Sequence, residues 1–319
     1  MEITRPPKLS KDKVKEVDMH SFINLITVVD MQLQMLKMEY EAGSRLDEVI
    51  KQTEEMAAAI RRLDTSLLSD EWVEAYIKKL LHDVEVVETG GDAPSGEEHW
   101  QYLQNLQSIM SVFRVRFKEL KEKLNQPKAW HKFDIEDFRN DFRHFFYAME
   151  KNSRGRYRII KNIAEQEEED YLVYLQIDSD CGGGHCLYMP LVLKDVLRDL
   201  IANARKYTLP GGRIQVGLSQ KENALRIVVE DSGLGIPAGE IDKVVEYGYR
   251  AENVRDRVRT MGGGFGLTKA WQVTYQLGGR MWISSEEGKG TKISLHIPAP
   301  ASKRQVPTLE ENEKPAFNN

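Results

Sequence analysis

The sequence predicts an α+β protein: an N-terminal all-α helical bundle or dimerisation hairpin, followed by a domain in which helices cover a sheet. Three observations carry this. Up to about residue 127 apolar residues recur at helical spacing, interrupted only by short turn-forming stretches. Beyond Pro127, short runs rich in Tyr, Ile, Val and Leu alternate with further helical patterns. A chain of 319 residues that is 41% hydrophobic and 30% charged has the balance of a well-charged globular protein of about two domains.

Residues 1–10 read as a flexible leader, since Pro6 and Pro7 oppose helix. From Lys11 to about Glu41 nothing breaks a helix, and Val14, Val17, Leu25, Val28, Met35 and Met38 supply its apolar stripe. Ala42-Gly43-Ser44 reads as a stop and turn, with Ser44 as N-cap of the next helix. From Arg45, Leu46, Val49, Ile50, Thr53, Met56, Ala57, Ile60, Leu63 and Leu67 mark that second helix in near-heptad register. Two such helices form an antiparallel hairpin. A lone hairpin leaves its apolar face open, so it should pair with a second copy or with more helix. Residues 70–88 and 97–125 are further helix candidates, separated by a Gly, Asp, Pro and Ser loop at 89–96. They either complete the bundle or receive an input.

After Pro127, residues 134–152 read as a helix and 156–163 and 171–178 as strands. A helix at 191–208 follows, then strands at 212–219 and 224–231 around the turn QKEN. A helix at 268–277 precedes two closing strands, 280–285 and 291–297, around EEGKG. Such a mixture gives a layer of helices on a sheet. Residues 299–319 have little to bury and read as a disordered tail. The expected domains are therefore 1–10, 11–127, 128–298 and 299–319.

Net charge is −5, which gives no support for nucleic acid as a partner. No apolar run is long enough for a membrane span, and the N-terminus lacks the apolar core of a secretory signal. Cys181 and Cys186 make no disulfide framework, so a cytoplasmic setting is expected. With His185 they fall short of the about four ligands of a structural zinc site, and the segment reads as a flexible loop. The common G-x-x-x-x-G-K-[ST] phosphate loop is absent.

The chemistry concentrates around the helix at 191–208. Leu193, Val196, Leu197, Leu200, Ile201 and Ala204 bury one face, while Asp199 and Asn203 fall one turn apart. A carboxylate and a carboxamide so spaced can hold a metal ion and a water beside a phosphate chain. Lys206 supplies a cation for phosphate and Tyr207 an aromatic face for a base. Taken alone, this is equally an ordinary amphipathic helix. Asp231-Ser-Gly233-Leu-Gly235 ends a strand: the carboxylate can accept from an exocyclic amine, and the glycines let backbone pass close to a flat ring. A simple turn uses the same residues. Gly262-Gly-Gly264-Phe-Gly266-Leu267 opens a helix and is a phosphate cradle in type. Between these motifs, residues 238–261 carry Arg250, Arg255, Arg257 and Arg259 and read as a mobile lid or a solvated loop.

The fixed order D-x-x-x-N, DxGxG, GxGxG before a helix, and Gly288-Lys-Gly290-Thr291 in a hairpin is far more specific than any one motif. Over residues 134–298 the sequence resembles the ATP-binding domain of two-component histidine kinases, within the Bergerat-fold group. LRDLIANARKYT, VVEDSGLGIP, GGGFGLTKA and SEEGKGTKISLHIP are the best-matched pieces. The resemblance implies an α/β sandwich ATPase that uses ATP and Mg²⁺. Asn203 would bind Mg²⁺, Asp231 would hold adenine, Lys206 would meet phosphate and Tyr207 the base. Gly233, Gly235, Gly262, Gly264, Gly266, Leu267 and Thr291 would complete the ATP pocket. Asp199 stands where the family usually has Asn and keeps a polar oxygen for water or Mg²⁺. Residues 244–250 occupy the place of the family's phenylalanine-containing box with changed aromatic identity.

His20-Ser-Phe-Ile-Asn24-Leu, on the first helix, resembles the family's histidine box. It implies His20 as phosphoacceptor, with Asn24 one turn on positioned for the reverse, phosphatase step. An exposed imidazole near its ordinary pKa of about 6.5 is largely neutral at pH 7 and nucleophilic. Ser21 replaces the acid that usually follows the histidine, and general-base help is typically worth about 10²–10⁴-fold. The implied function is a homodimeric kinase that autophosphorylates His20 and passes the phosphoryl group to an aspartate of a separate response regulator. The alternative is an ATP-binding pseudokinase or phosphotransfer scaffold. A third reading, a kinase acting on a partner's serine, has no use for His20.

Overall fold

The computed structural model describes residues 1–62, 64, 69–90, 101–126, 128–151, 158–160, 167, 170–221, 223–255 and 264–299. The chain forms two compact units, one of residues Asp18–Lys118 and one of Met1–Val17 with Glu119–Asn319. The units part within helices rather than at residue 127, where the domain boundary was expected.

The first unit is built from α1 (Lys11–Glu39), α2 (Asp47–Arg61), α3 (Asp70–Thr89) and α4 (Gln101–Asn125). Within it α1 buries Met19, Phe22, Ile26, Val29, Leu33 and Leu36, in alternating steps of three and four. Phe22 packs on Phe113 and Phe117 near the end of α4, with ring centroids 5.2 and 6.5 Å apart. At the other end of α1, Tyr102 at the start of α4 donates to Glu39, 2.8 Å. The two helices are thus antiparallel neighbours. The Thr53 and Tyr76 hydroxyls, 2.7 Å apart, join α2 to α3, and Glu48 pairs with Lys79 at 3.1 Å. The Glu88 carboxylate accepts from the Tyr102 and Leu103 amides, 3.0 Å each, and caps the start of α4. The hairpin's open face is therefore covered by more helix from the same chain.

The buried stripe on α1 differs from the expected one. Leu25, Val28 and Met35 are only half-buried, and Met38 is 82% exposed. Helix α1 carries two apolar rows, and the in-chain bundle uses the one that faces α4's aromatics. Ser44 is not an N-cap: Glu41–Leu46 winds as a 3₁₀ turn, and α2 begins after Leu46 without a side-chain cap. Gly43 is required in that turn, since a Cβ there would lie 2.2 Å from the Lys37 carbonyl oxygen.

The second unit contains β1 (Glu2–Ile3), β2 (Trp130–Asp134), α5 (Ile135–Lys151), β3 (Ile159–Ile160), β4 (Tyr171–Ser179), β5 (Cys186–Pro190) and α6 (Val192–Tyr207). It continues with β6 (Arg213–Lys221), β7 (Ala224–Asp231), α7 (Glu252–Arg255), α8 (Gly266–Gln276), β8 (Arg280–Glu286) and β9 (Gly290–Pro298). The strands form a seven-stranded mixed sheet in the order β1-β8-β9-β7-β6-β4-β3, with β2 and β5 as a separate antiparallel pair. Alternate residues stack across the ladders: Val216 opposes Val229, which opposes Ile293, which opposes Ile283. This row shares one core with Phe138 and Phe142 of α5, Leu197 and Ile201 of α6, and Ala270 and Val273 of α8. The opposite face carries ion pairs such as Lys221–Asp178 and Lys292–Glu230.

The expected flexible leader is corrected by the structure. Glu2 and Ile3 pair with Trp282 and Met281 as an edge strand, Ile3 is 3% exposed, and Glu2 is bonded to Arg280. Farther along, the Trp271 indole donates to the Arg5 carbonyl at 3.0 Å. Prolines that forbid helix leave extended edge pairing open, which a helix argument overlooks. The β2–β5 pair was not anticipated either. Cys181–Gly184, expected as a flexible loop, is a 3₁₀ turn leading into it, and both cysteines are buried and outside any disulfide. Residues 300–319, most of the expected tail, lie outside the described residues.

Candidate nucleotide site

The site forms where α6, the end of β7, the start of α8 and the β8–β9 hairpin meet. Asp231, last residue of β7, sits mid-sheet between Ile214 and Thr291. Its Oδ1 accepts from the Gly233 amide at 2.9 Å and the Thr291 amide at 3.3 Å. Burial nevertheless pushes its carboxyl up to about 6, since desolvation outweighs those two bonds. The following loop runs against other backbone. A Cβ at Gly233 would lie 2.4 Å from the Tyr207 carbonyl oxygen, and one at Gly235, whose φ is +67°, would lie 2.0 Å from that of Glu286. The Leu234 amide donates to the Tyr207 carbonyl and the Ile236 amide to Ser285 Oγ, 3.0 and 2.8 Å. Asn253 Nδ2 donates to the Gly235 carbonyl at 3.0 Å. Glycine is thus required by backbone contact here, and the same close packing keeps the loop beside Asp231.

On α6, Asn203 lies against the first residue of α8: a Cβ on Gly266 would come within 2.6 Å of Asn203 Nδ2. Among the described residues no hydrogen bond engages the Asn203 carboxamide. One turn earlier, Asp199 Oδ2 accepts from Lys269 Nζ, 3.0 Å, on the first turn of α8. At the other end of the helix, Lys206 Nζ lies 5.2 Å from the Tyr207 ring centroid. Burial, with Arg250 and Arg205 nearby, lowers the Lys206 ammonium to about 8, and burial raises the Tyr207 phenol. Gly264, at φ +73°, approaches Tyr249. Leu267 and Tyr207 are half-buried against the core.

The structure therefore brings together Asp199, Asn203, Lys206, Tyr207, Asp231, Gly233, Gly235, Gly264, Gly266, Leu267 and Thr291, while Gly262 lies outside the described residues. It corrects the lid expectation for residues 238–255. Ile241, Val244, Val245, Ala251 and Val254 are in the core, and Tyr247 donates to Glu16 at 2.6 Å. Residues 256–263 are outside the described set. Lys269, Ser285 and Asn253 were not expected at the site. For Lys269 the signal was present: a lysine between Gly266 and Val273 on the inward face of a short helix needs a buried partner.

In the helical unit, His20 and Asn24 are one turn apart on α1, with Asn24 Nδ2 3.2 Å from His20 Nε2. With Asn24 Nδ2 as donor, His20 Nε2 is the acceptor of this contact.

A buried acceptor, a carboxamide with no hydrogen bond among the described residues, a cation and glycine backbone, all on one side of a helix-covered mixed sheet, make a candidate site for a nucleotide. This part of the chain, residues 189–301, matches the family described as histidine kinase-, DNA gyrase B-, and HSP90-like ATPase. Its similarity to two-component sensor histidine kinases is direct. Sensor histidine kinase WalK of Bacillus subtilis is 33% identical over 44% of this chain and 20% of its own length. Aerobic respiration control sensor protein ArcB of Escherichia coli is 34% identical over 39% of this chain and 16% of its own. The catalytic domain of histidine kinase ThkA aligns at 18% identity and a TM-score of 0.38, over 54% of this chain and 99% of that one. The chain thus spans about a fifth or less of the two curated sensor kinases. No helix among the described residues is long and apolar enough to cross a membrane.

Proposed function

We propose that the chain is an ATP-dependent protein histidine kinase that autophosphorylates His20 and passes the phosphoryl group to an aspartate of a separate response regulator. The observation that carries this is the pairing of a segment that matches the ATPase family and sensor kinases with a helical unit in which Asn24 is hydrogen-bonded to His20. Asp231 would accept from the adenine amine, with Gly233 and Gly235 against the ring and Tyr207 beside it. Lys206 would meet phosphate, and Gly262, Gly264, Gly266, Leu267 and Thr291 would line the rest. The residues fit Mg²⁺: Asn203 offers a neutral oxygen with no competing hydrogen bond among the described residues, and hard cations take oxygen ligands. Asp199, one turn away, keeps a polar oxygen for water on that ion, which an amide oxygen would supply equally. When bound, Mg²⁺ neutralises phosphate charge. His20 then supplies Nε2 as nucleophile once Asn24 releases it, and Asn24 would orient water for the reverse step.

A homodimer is supported by the second apolar row of α1. Leu25, Val28, Met31, Met35 and Met38 lie outside the in-chain bundle core, with Met31 46% and Met38 82% exposed. The use of ATP and two cysteines that form no disulfide fit a cytoplasmic setting.

Ser21 favours one second reading, an ATP-binding pseudokinase or phosphotransfer scaffold with little kinase activity. Peptide mapping under alkaline conditions after incubation with Mg·ATP separates the readings. Phosphate on His20 supports the kinase, and its rate should rise on Ser21→Glu. Phosphate on serine, or none, refutes it.

A further inference from the structure

We propose that Lys269 is a positioning residue of the nucleotide site, acting through Asp199; the inference rests on the nucleotide reading of α6 and α8. Lys269 is 1% exposed, in the first turn of α8, three residues after the glycine that presses on Asn203. Its Nζ donates to Asp199 Oδ2 at 3.0 Å and lies 3.9 Å from Asp195 Oδ2. Asp195 already has two other cations, Lys123 at 3.2 Å and Arg198 at 3.4 Å. Asp199 therefore depends on Lys269 far more than Asp195 does.

Burying an ammonium is costly, and an aliphatic side chain would fill the same space between Gly266 and Val273 at lower cost. The charge itself needs an account, and Asp199 provides it. Asp199 lies one helical turn from Asn203, beside the place where a polyphosphate would bind. An uncompensated carboxylate there repels that polyphosphate, and at short range in a partly buried site the repulsion is strong. Lys269 approaches from the protein side, cancels the charge, and turns Oδ2 toward α8. The same bond fixes the start of α8 to α6, so Gly266 stays against Asn203. Lys269 itself, buried behind the pair, does not touch the ligand.

Equilibrium binding of Mg·ATP to the full chain, measured by calorimetry, tests this with Lys269→Met, Asp199→Asn and the double variant. The expected result is binding weakened about tenfold or more in Lys269→Met, and restored to within about threefold of the unaltered chain in Asp199→Asn/Lys269→Met. A merely space-filling lysine would not be rescued by neutralising Asp199. Unchanged binding in Lys269→Met, or a double variant as weak as Lys269→Met, would overturn the proposal. If Lys269→Met does not fold, the double variant alone decides: near-normal binding supports the proposal, and weak binding or failure to fold overturns it. An unaltered chain that binds no Mg·ATP would instead refute the nucleotide reading itself, and this proposal with it.

Discussion

Asp231 and His131 show how a single side chain's surroundings set its chemistry. Asp231 is raised to about 6 by burial, and only the carboxylate can accept from an amine through both oxygens. ATP affinity should therefore fall as pH drops from about 7.5 to 5.5, and Asp231→Asn should bind more weakly and lose that pH step. Calorimetric titrations at the two pH values check this. His131 on β2 is buried, and neither ring nitrogen has a hydrogen-bond partner among the described residues. Burial lowers its pKa below the ordinary histidine value. The unfolded chain then binds the proton more readily, so stability contributed by neutral His131 is present above about pH 6.5 and declines as pH falls below it. Thermal melts should show a smaller loss between about pH 7 and 5 in His131→Phe than in the unaltered chain. Asp231 and Asn203 were legible in the sequence because their spacing from glycines and from one another is local. The Lys269–Asp199 pair was not, because it joins helices 70 residues apart and no periodicity records which buried charges meet.

Among the elements, helix α6 is held by charge along its N-terminal half. Glu119 and Lys123 of α4, Asp141 of α5, and Lys194, Asp195 and Arg198 of α6 form a buried network. Glu119 pairs with Arg198 at 2.7 Å and Lys194 at 2.8 Å, and these cations hold its carboxyl well below the usual range in spite of burial. Glu119→Ala leaves two buried cations short of a partner and should destabilise the protein by roughly 3–5 kcal/mol. Denaturant unfolding reads this directly. The stabilisation belongs to the ionised carboxylate, so it is full above the ordinary glutamate pKa of about 4.3 and lost as pH falls below it. Element type was readable almost throughout, because β6, β7 and β9 alternate cleanly and α2 to α6 are strongly amphipathic. Two-residue β1 and five-residue β2 were not readable. Their length gives no period, and their place is fixed by partners, β8 and β5, that lie far away in sequence.

At the scale of the molecule, the four-helix unit closes its core within one chain and still leaves an apolar row on α1. If that row joins two copies, Met31→Glu with Met38→Glu should convert dimer to monomer in sedimentation equilibrium without lowering helix content. The sequence foresaw an open hairpin face and both ways of covering it. The structure shows in-chain helices covering one row, while the exposed methionines are what remains for a partner.

The measurement that bears most directly on the central claim is phosphate incorporation from γ-labelled ATP with Mg²⁺, comparing the unaltered chain with His20→Ala and Asn203→Ala. The account predicts acid-labile, base-stable label on the unaltered chain, lost in both variants, with ATP binding retained in His20→Ala and weakened in Asn203→Ala. Label that persists in His20→Ala, or an unaltered chain that binds ATP through Asn203 yet incorporates none, would contradict it.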